Sequence, residues 1–211
     1  MDQGLGGLPA QSLSGDGPIA RLFREVGVDD FAGAARYVLN LPYGRITERS
    51  RYWLVLTEGR GTCTTKHALL AELALEQSID ADLILGIYEM SERNTPGIGH
   101  VLRRYGLEYI PEAHCYLRCN GHRVDVTGVP PGAEPIARFL HEEPITVEQI
   151  GEYKNRVHKT FLAEWKAATK GLDGFSVDDI WRIREECIAA LGAGEYRSRT
   201  NDGQSACREQ Q

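Results

Sequence analysis

The chain has no excess of positive charge, no long apolar run and no secretory leader, and each absence excludes a class of protein. It carries 24 Lys and Arg against 30 Asp and Glu, a net charge of −6. This argues against a nucleic-acid partner, because phosphates must be neutralised by basic side chains. The longest apolar candidate, ADLILGIYEM, is broken by charge and falls short of the roughly 18 residues of a membrane span. The first residues, MDQGLGGLPA, lack the basic start and apolar centre of a secretory signal. We therefore expect a cytoplasmic protein without a membrane partner.

The chain of 211 residues has only five cysteines, which is an odd number. Cytoplasmic thiols are kept reduced, so we expect no disulfide framework. The composition, 42% hydrophobic and 26% charged, is that of an ordinary folded protein. We expect one domain over residues 18–191, between a flexible lead at 1–17 and a flexible tail at 192–211, because both ends are polar. No cofactor is expected.

Several stretches have helical periodicity or a helix-start signal. The clearest follows Thr62, where CTTKHALLAELALEQ is rich in residues that favour helix. Thr146 and Gln149 form a capping-box pattern ahead of a long amphipathic stripe that ends at Trp165. In chain order, helices are predicted to begin near Pro18, Asp30, Cys63, Pro96, Thr146 and Ser176.

A buried strand and a hairpin are predicted between these helices. Residues 82–89 contain the apolar run LILGIY, and HCYLRC and HRVDVT flank Asn120-Gly121, a strong two-residue turn signal. Such a turn places Asp125 opposite Tyr116. Because strand side chains alternate, His114 lies on the same face as Tyr116 and is a diagonal neighbour of Asp125.

Cys63 is predicted at the first position of a helix, where free N–H groups and the helix dipole favour a thiolate. Gly59 and Gly61 permit the tight turn that presents the thiol there. A catalytic thiolate needs a base, and the base needs a third group that fixes its tautomer. His114 and Asp125 are the candidates for these two roles.

These residues resemble a known family. The segments GTCTTKHALLAELALEQSIDADLILGIY and EAHCYLRCNGHRVDVTG are similar to the transglutaminase-like core, a branch of the papain-like cysteine enzymes that also resembles arylamine N-acetyltransferases. The resemblance implies an α+β papain-like fold, in which a nucleophile helix packs on a small antiparallel sheet with flanking helices. It also implies that Cys63 attacks an amide, ester or thioester carbonyl, with His114 as the base and Asp125 as its orienting group.

Further pocket residues follow from the resemblance. The backbone N–H of Cys63 would hold the oxyanion, and Tyr43 or Trp53 would supply a second donor. Tyr116 stands where the family usually has Trp after its His, and His67 is either a pocket-wall residue or a competing base. The partner would be a peptide or small-molecule acyl substrate, so protease, amidase and transglutaminase-like activities all stay open, with water or an amine as acceptor.

Two other functions use the same residues. A metal could be bound by Cys63 and His67, or by Cys115, Cys119 and His122 in the hairpin. Strand alternation directs the hairpin group away from His114 and Cys63, so we expect no metal site. The second alternative is a non-catalytic binding module on the same fold.

Overall fold

The structure is a computed structural model that describes residue 5, residues 8–128 and residues 132–202. Within these residues the chain forms an α+β fold with seven α-helices and a four-stranded antiparallel sheet. The helices are α1 (Pro18–Glu25), α2 (Phe31–Asn40), α3 (Leu54–Glu58), α4 (Cys63–Glu76), α5 (Gly99–Arg104), α6 (Glu152–Ala168) and α7 (Val177–Asp202). The strands are β1 (Ala81–Met90), β2 (Ile110–Cys119), β3 (His122–Val124) and β4 (His141–Ile145).

Local side-chain signals set the ends of the helices. The carboxylate of Asp30 accepts a hydrogen bond from the N–H of Gly33 at 2.7 Å and caps α2, as predicted. Gly59 ends α3 in the left-handed region at φ 63°. At the start of α4 the N–H of Thr62 donates to Oγ1 of Thr65 at 3.0 Å. These contacts satisfy backbone groups that a helix end leaves without partners.

The sheet has the strand order β3-β2-β1-β4. In the predicted hairpin Leu117 pairs with Val124 and Cys119 pairs with His122. Asn120 and Gly121 have φ values of 49° and 77°, which the two-residue hairpin turn requires. The hairpin is confirmed, but β3 is shorter than predicted: it ends at Val124, so Asp125 follows the strand.

The edge strand β4 was not predicted from the sequence. It pairs antiparallel with β1, with Leu83 opposite Ile145 and Ile87 opposite His141. Its sequence HEEPI is mostly polar and contains Pro144, features that natural edge strands tolerate and that hide the strand from a search for hydrophobic alternation.

One predicted helix start is displaced. The capping box of Thr146 and Gln149 is present, with the N–H of Thr146 donating to Oε1 of Gln149 at 2.9 Å. It caps a short 3₁₀-helix, Val147–Ile150, and α6 begins afterwards at Glu152. A capping box identifies the first helical turn, whereas the following turns decide whether that helix continues.

The chain divides into two compact units. The first consists of Met1–Tyr88, Ala113–Gly128 and Phe139–His158, and its core includes Phe23, Phe31, Leu69 and Leu73. The second consists of Glu89–Glu112, Val129–Arg138 and Lys159–Gln211. In the second unit Nε of Arg184 donates to the buried Glu112 carboxylate at 2.6 Å.

The structure also bears on the two predicted flexible ends. Gln11 and Ser14 hydrogen-bond to Gln77 at 2.8 and 2.7 Å, and Leu13 is buried. At the other end, α7 runs to Asp202, and residues 203–211 lie outside the described part. The domain limits stay predictions. Among the described helices, none combines the length and apolar character that crossing a bilayer requires.

Candidate active site

A tightly packed turn presents Cys63 at the first residue of α4. A Cβ atom on Gly61 would lie 2.8 Å from Cγ of Lys66 and 3.0 Å from Cγ2 of Val55, so this position has room only for glycine. Cys63 itself is 8% exposed. Its N–H is one of the first four helical donors, which have no acceptor within the helix. The turn therefore places a nearly buried thiol at the helix end where the first backbone donors lack acceptors within the helix.

His114 and Asp125 form a close pair. Nε2 of His114 lies 2.6 Å from Oδ2 of Asp125, as their predicted diagonal placement requires. The other carboxylate oxygen of Asp125 accepts from the N–H of Thr127 at 3.0 Å. Burial opposes ionisation of Asp125, but the charge and hydrogen bond of His114 hold its pKa well below the usual range. Asp125 is therefore a carboxylate that orients the imidazole ring.

Cys63 and His114 favour each other's charged forms. Burial disfavours the thiolate, yet the charge and hydrogen bond of His114 and the charge of Lys154 lower the pKa of Cys63. Burial likewise disfavours the imidazolium, but Asp125 and Cys63 raise the pKa of His114. Because Nε2 bonds to Asp125, Nδ1 is the ring nitrogen left for the thiol. Both shifts favour a thiolate–imidazolium pair.

His67 is an uncharged residue that lines the site, and it is not a competing base. Its Nδ1 lies 2.7 Å from the carbonyl oxygen of Cys63, and its Nε2 accepts from the N–H of Val126 at 2.8 Å. The carbonyl can only accept, so Nδ1 carries the proton. Burial lowers the pKa of His67 to about 4, despite a distance of 3.6 Å to Asp125. Both ring nitrogens are used by the backbone, so neither is available to Cys63.

An aromatic wall that the sequence did not predict lies against His114. The ring of Phe139 stacks on His114 with centroids 6.4 Å apart and on Tyr116 at 5.1 Å. Gly86 makes room for it, because a Cβ there would come within 2.5 Å of the Phe139 ring. Tyr88 meets His114 edge-on at 6.0 Å. Phe139 sits in an irregular segment before β4, where no periodic pattern could mark it.

Arg123 is a second unpredicted member of the site. Its guanidinium lies 4.7 Å from the ring centroid of Phe139 and 5.1 Å from that of Tyr116. Its Nη2 lies 3.3 Å from Oδ2 of Asp125, the oxygen that also faces His114. The predicted pocket residue Tyr116 donates its hydroxyl hydrogen to Glu142. Arg123 thus contributes positive charge beside Asp125 at the outer side of the aromatic wall.

The two candidates for the second oxyanion donor lie in different surroundings. Tyr43 forms a parallel backbone bridge with Gly61, so it stands next to the turn that precedes the nucleophile. The ring contacts of Trp53 are with its neighbours, Tyr52 at 5.4 Å and Arg51 at 5.6 Å. Of the two, Tyr43 is the residue that contacts the turn before Cys63.

Cys115 lies closer to Cys63 than strand alternation predicts. Its backbone N–H hydrogen-bonds to the Cys63 thiol, and its own thiol hydrogen-bonds to Thr64. Oγ1 of Thr64 lies 3.8 Å from Sγ of Cys63 and accepts from Nζ of Lys154 at 3.0 Å. The prediction excluded Cys115 only from a metal site shared with Cys63, and its contact with Thr64 does not contradict that. Alternation sets the direction of a strand side chain but does not say which helix residues pack beside it.

The metal alternative gains no support from the described residues. Within them, no group of three or more His, Cys, Asp or Glu side chains is arranged to hold an ion. Their four cysteines are free and buried, namely Cys63, Cys115, Cys119 and Cys187.

No family model matches the chain, and neither a curated protein nor a solved structure matches it. The case for a function therefore depends on the geometry of the site.

Proposed function

We propose that this chain is a cysteine-dependent enzyme that transfers or hydrolyses an acyl group, built on a transglutaminase-like, papain-like core. The observation that carries the proposal is the position of His114. One of its ring nitrogens bonds to Asp125 at 2.6 Å, and the charge of the ring favours the thiolate of Cys63. A nucleophile, a base and an orienting carboxylate in this order are what acyl transfer through a thiol requires.

The reaction proceeds in two halves. Sγ of Cys63 attacks the carbonyl carbon of an amide, ester or thioester, and the carbonyl oxygen becomes an oxyanion. The tetrahedral intermediate collapses when His114 gives its proton to the leaving group, which departs and leaves a thioester on Cys63. Water or an amine then attacks the thioester while His114 takes its proton, and the thiolate leaves. Asp125 stabilises the cationic ring in both halves.

The oxyanion faces the start of α4. The N–H of Cys63, at the first residue of α4, is the proposed donor, and one such donor contributes roughly 3 kcal/mol to transition-state stabilisation. Tyr43, beside the same turn, is the proposed second donor. The proposed substrate is a peptide or small-molecule acyl donor.

A chromogenic ester tests the proposal. With p-nitrophenyl acetate we expect a burst of nitrophenolate and an acetyl group on Cys63, located by mass spectrometry of the digested protein. Cys63→Ala should lose both signals, whereas Cys119→Ala should keep them, since Cys119 is a buried cysteine at the far end of β2. An added amine that appears in the product identifies a transferase, and free acetate alone identifies a hydrolase.

The contrary result is equally clear. If acetylation is absent, or is the same in Cys63→Ala as in the unaltered protein, the chain is not a thiol acyltransferase. The non-catalytic binding module would then be the better description of this fold.

A further inference from the structure

Lys154 is a buried lysine whose ammonium hydrogen-bonds to a hydroxyl and not to a carboxylate. It is 7% exposed, and its Nζ donates to Oγ1 of Thr64 at 3.0 Å. An ammonium withdrawn from water needs compensation from its surroundings. Thr64 is the residue after the nucleophile, and its Oγ1 lies 3.8 Å from Sγ of Cys63. The Thr64 hydroxyl therefore lies between the Lys154 ammonium and the Cys63 thiol.

The direction of each hydrogen bond at Thr64 follows from its donors and acceptors. A hydroxyl has one proton to donate and two lone pairs that accept. The ammonium of Lys154 can only donate to it. Burial raises the pKa of Cys115, so that thiol keeps its proton and accepts more weakly than a thiolate does. The Thr64 proton is therefore left for the thiolate of Cys63.

We propose that Lys154 is a positioning residue for the nucleophile. This inference rests on the proposed thiol chemistry. It holds the Thr64 hydroxyl with its proton directed at Sγ of Cys63, and it supplies a positive charge to the thiolate besides that of His114. His114 alternates between its charged and neutral forms during the reaction. The Lys154 ammonium takes no part in those proton transfers, so its stabilisation of the thiolate is present at every stage.

Other charged or titratable groups surround the thiol. His67 on α4 is neutral because its ring nitrogens bond to the backbone. The guanidinium of Arg49 bonds to Asn155 at 3.4 Å and acts electrostatically on Cys115. The remaining groups are His114 and Cys115 on β2, and Asp125 behind His114. A substitution at Lys154 leaves all of them in the protein, so its own effect on Cys63 can be isolated.

The pH dependence of Cys63 alkylation tests the proposal. Iodoacetamide labelling of the full chain is followed over a range of pH, and modification of the peptide that contains Cys63 is quantified. In Lys154→Met and in Thr64→Val we expect the midpoint to rise, with about a tenfold loss of labelling rate below the midpoint for each unit of rise. Thr64→Ser keeps the hydroxyl and should keep the original midpoint. Lys159→Met, on the same helix, is the matched control because Lys159 pairs with Asp178 at 3.3 Å.

A double variant separates action through Thr64 from independent effects. If Lys154 positions the hydroxyl, the midpoint shift of Lys154→Met with Thr64→Val is smaller than the sum of the single shifts. Fully additive shifts, or an unchanged midpoint in Lys154→Met, would overturn the proposal. If Lys154→Met does not fold, the Thr64→Val and Thr64→Ser pair still decides it, since equal midpoints in that pair would also overturn it.

Failure of the proposed function has a different signature. In that case Cys63 of the unaltered protein itself titrates like an ordinary thiol, with a midpoint of about 8.5. A lowered midpoint in the unaltered protein that persists in Lys154→Met refutes only the role of Lys154.

Discussion

Replacing Asp125 with Asn isolates the negative charge of the proposed triad. The change keeps the size of the side chain but removes the charge that Nε2 of His114 meets at 2.6 Å. A hydrogen bond to a charged group contributes about 1.5–3 kcal/mol, or about one to two pKa units. The pKa of His114 should therefore fall by about that amount. Because the imidazolium favours the thiolate, the pKa of Cys63 should rise.

The assay is the rate of Cys63 alkylation as a function of pH. Well below the original midpoint, each unit of rise lowers the thiolate fraction, and thus the rate, about tenfold. Nuclear magnetic resonance titration of the His114 ring should show the opposite shift in the same variant. Asp82→Asn is the control, since Asp82 is exposed on β1. An unchanged midpoint of Cys63 in Asp125→Asn would refute the assignment of Asp125 to the triad.

Two further predictions concern the groups that surround the triad. The pKa of His67 is about 4 in the folded protein, against about 6.5 in an unfolded chain. Its contribution to stability is therefore complete above about pH 6.5 and is lost as the pH falls through 4, by about 3 kcal/mol in the free energy of unfolding. Urea unfolding across this range should show a weaker pH dependence in His67→Gln. Gly86→Ala brings a Cβ to 2.5 Å from the Phe139 ring and should lower the free energy of unfolding by about 1–3 kcal/mol, measured in the same way.

Each of these predictions has its own contrary result. Equal pH dependence in His67→Gln and the unaltered protein would mean that His67 does not titrate as its buried position implies. For the glycine, Gly174→Ala is the matched control, because no atom lies within 4 Å of a Cβ at that position. If both glycine variants unfold alike, the close approach of Phe139 does not constrain the sheet.

The parts that sequence reasoning predicted well depend on short-range chemistry. Asp30 caps α2 because a carboxylate two or three residues ahead of free N–H groups is within reach of them. Asn120 and Gly121 form the hairpin turn because both adopt positive φ readily. The pairing of His114 with Asp125 then follows from the alternation of strand side chains, even though β3 ends one residue before Asp125.

The parts it missed depend on partners far along the chain. β4 is a strand because the edge of β1 accepts it, not because HEEPI has a strand pattern. Phe139 becomes part of the site only because Gly86, far earlier in the chain, leaves space above β1. Neither β4 nor Phe139 has neighbours in the sequence that would indicate its role.

By itself, the sequence determined which residue types could perform thiol chemistry and which helix or hairpin each belongs to. Local backbone geometry is enough for that, since it repeats every few residues. Only the tertiary structure decided what surrounds the thiol: His67 held neutral by Val126, Cys115 brought beside Thr64, and Lys154 buried against the same hydroxyl. Burial and charge at a site are sums over residues from separate elements, so they exist only after those elements have packed together.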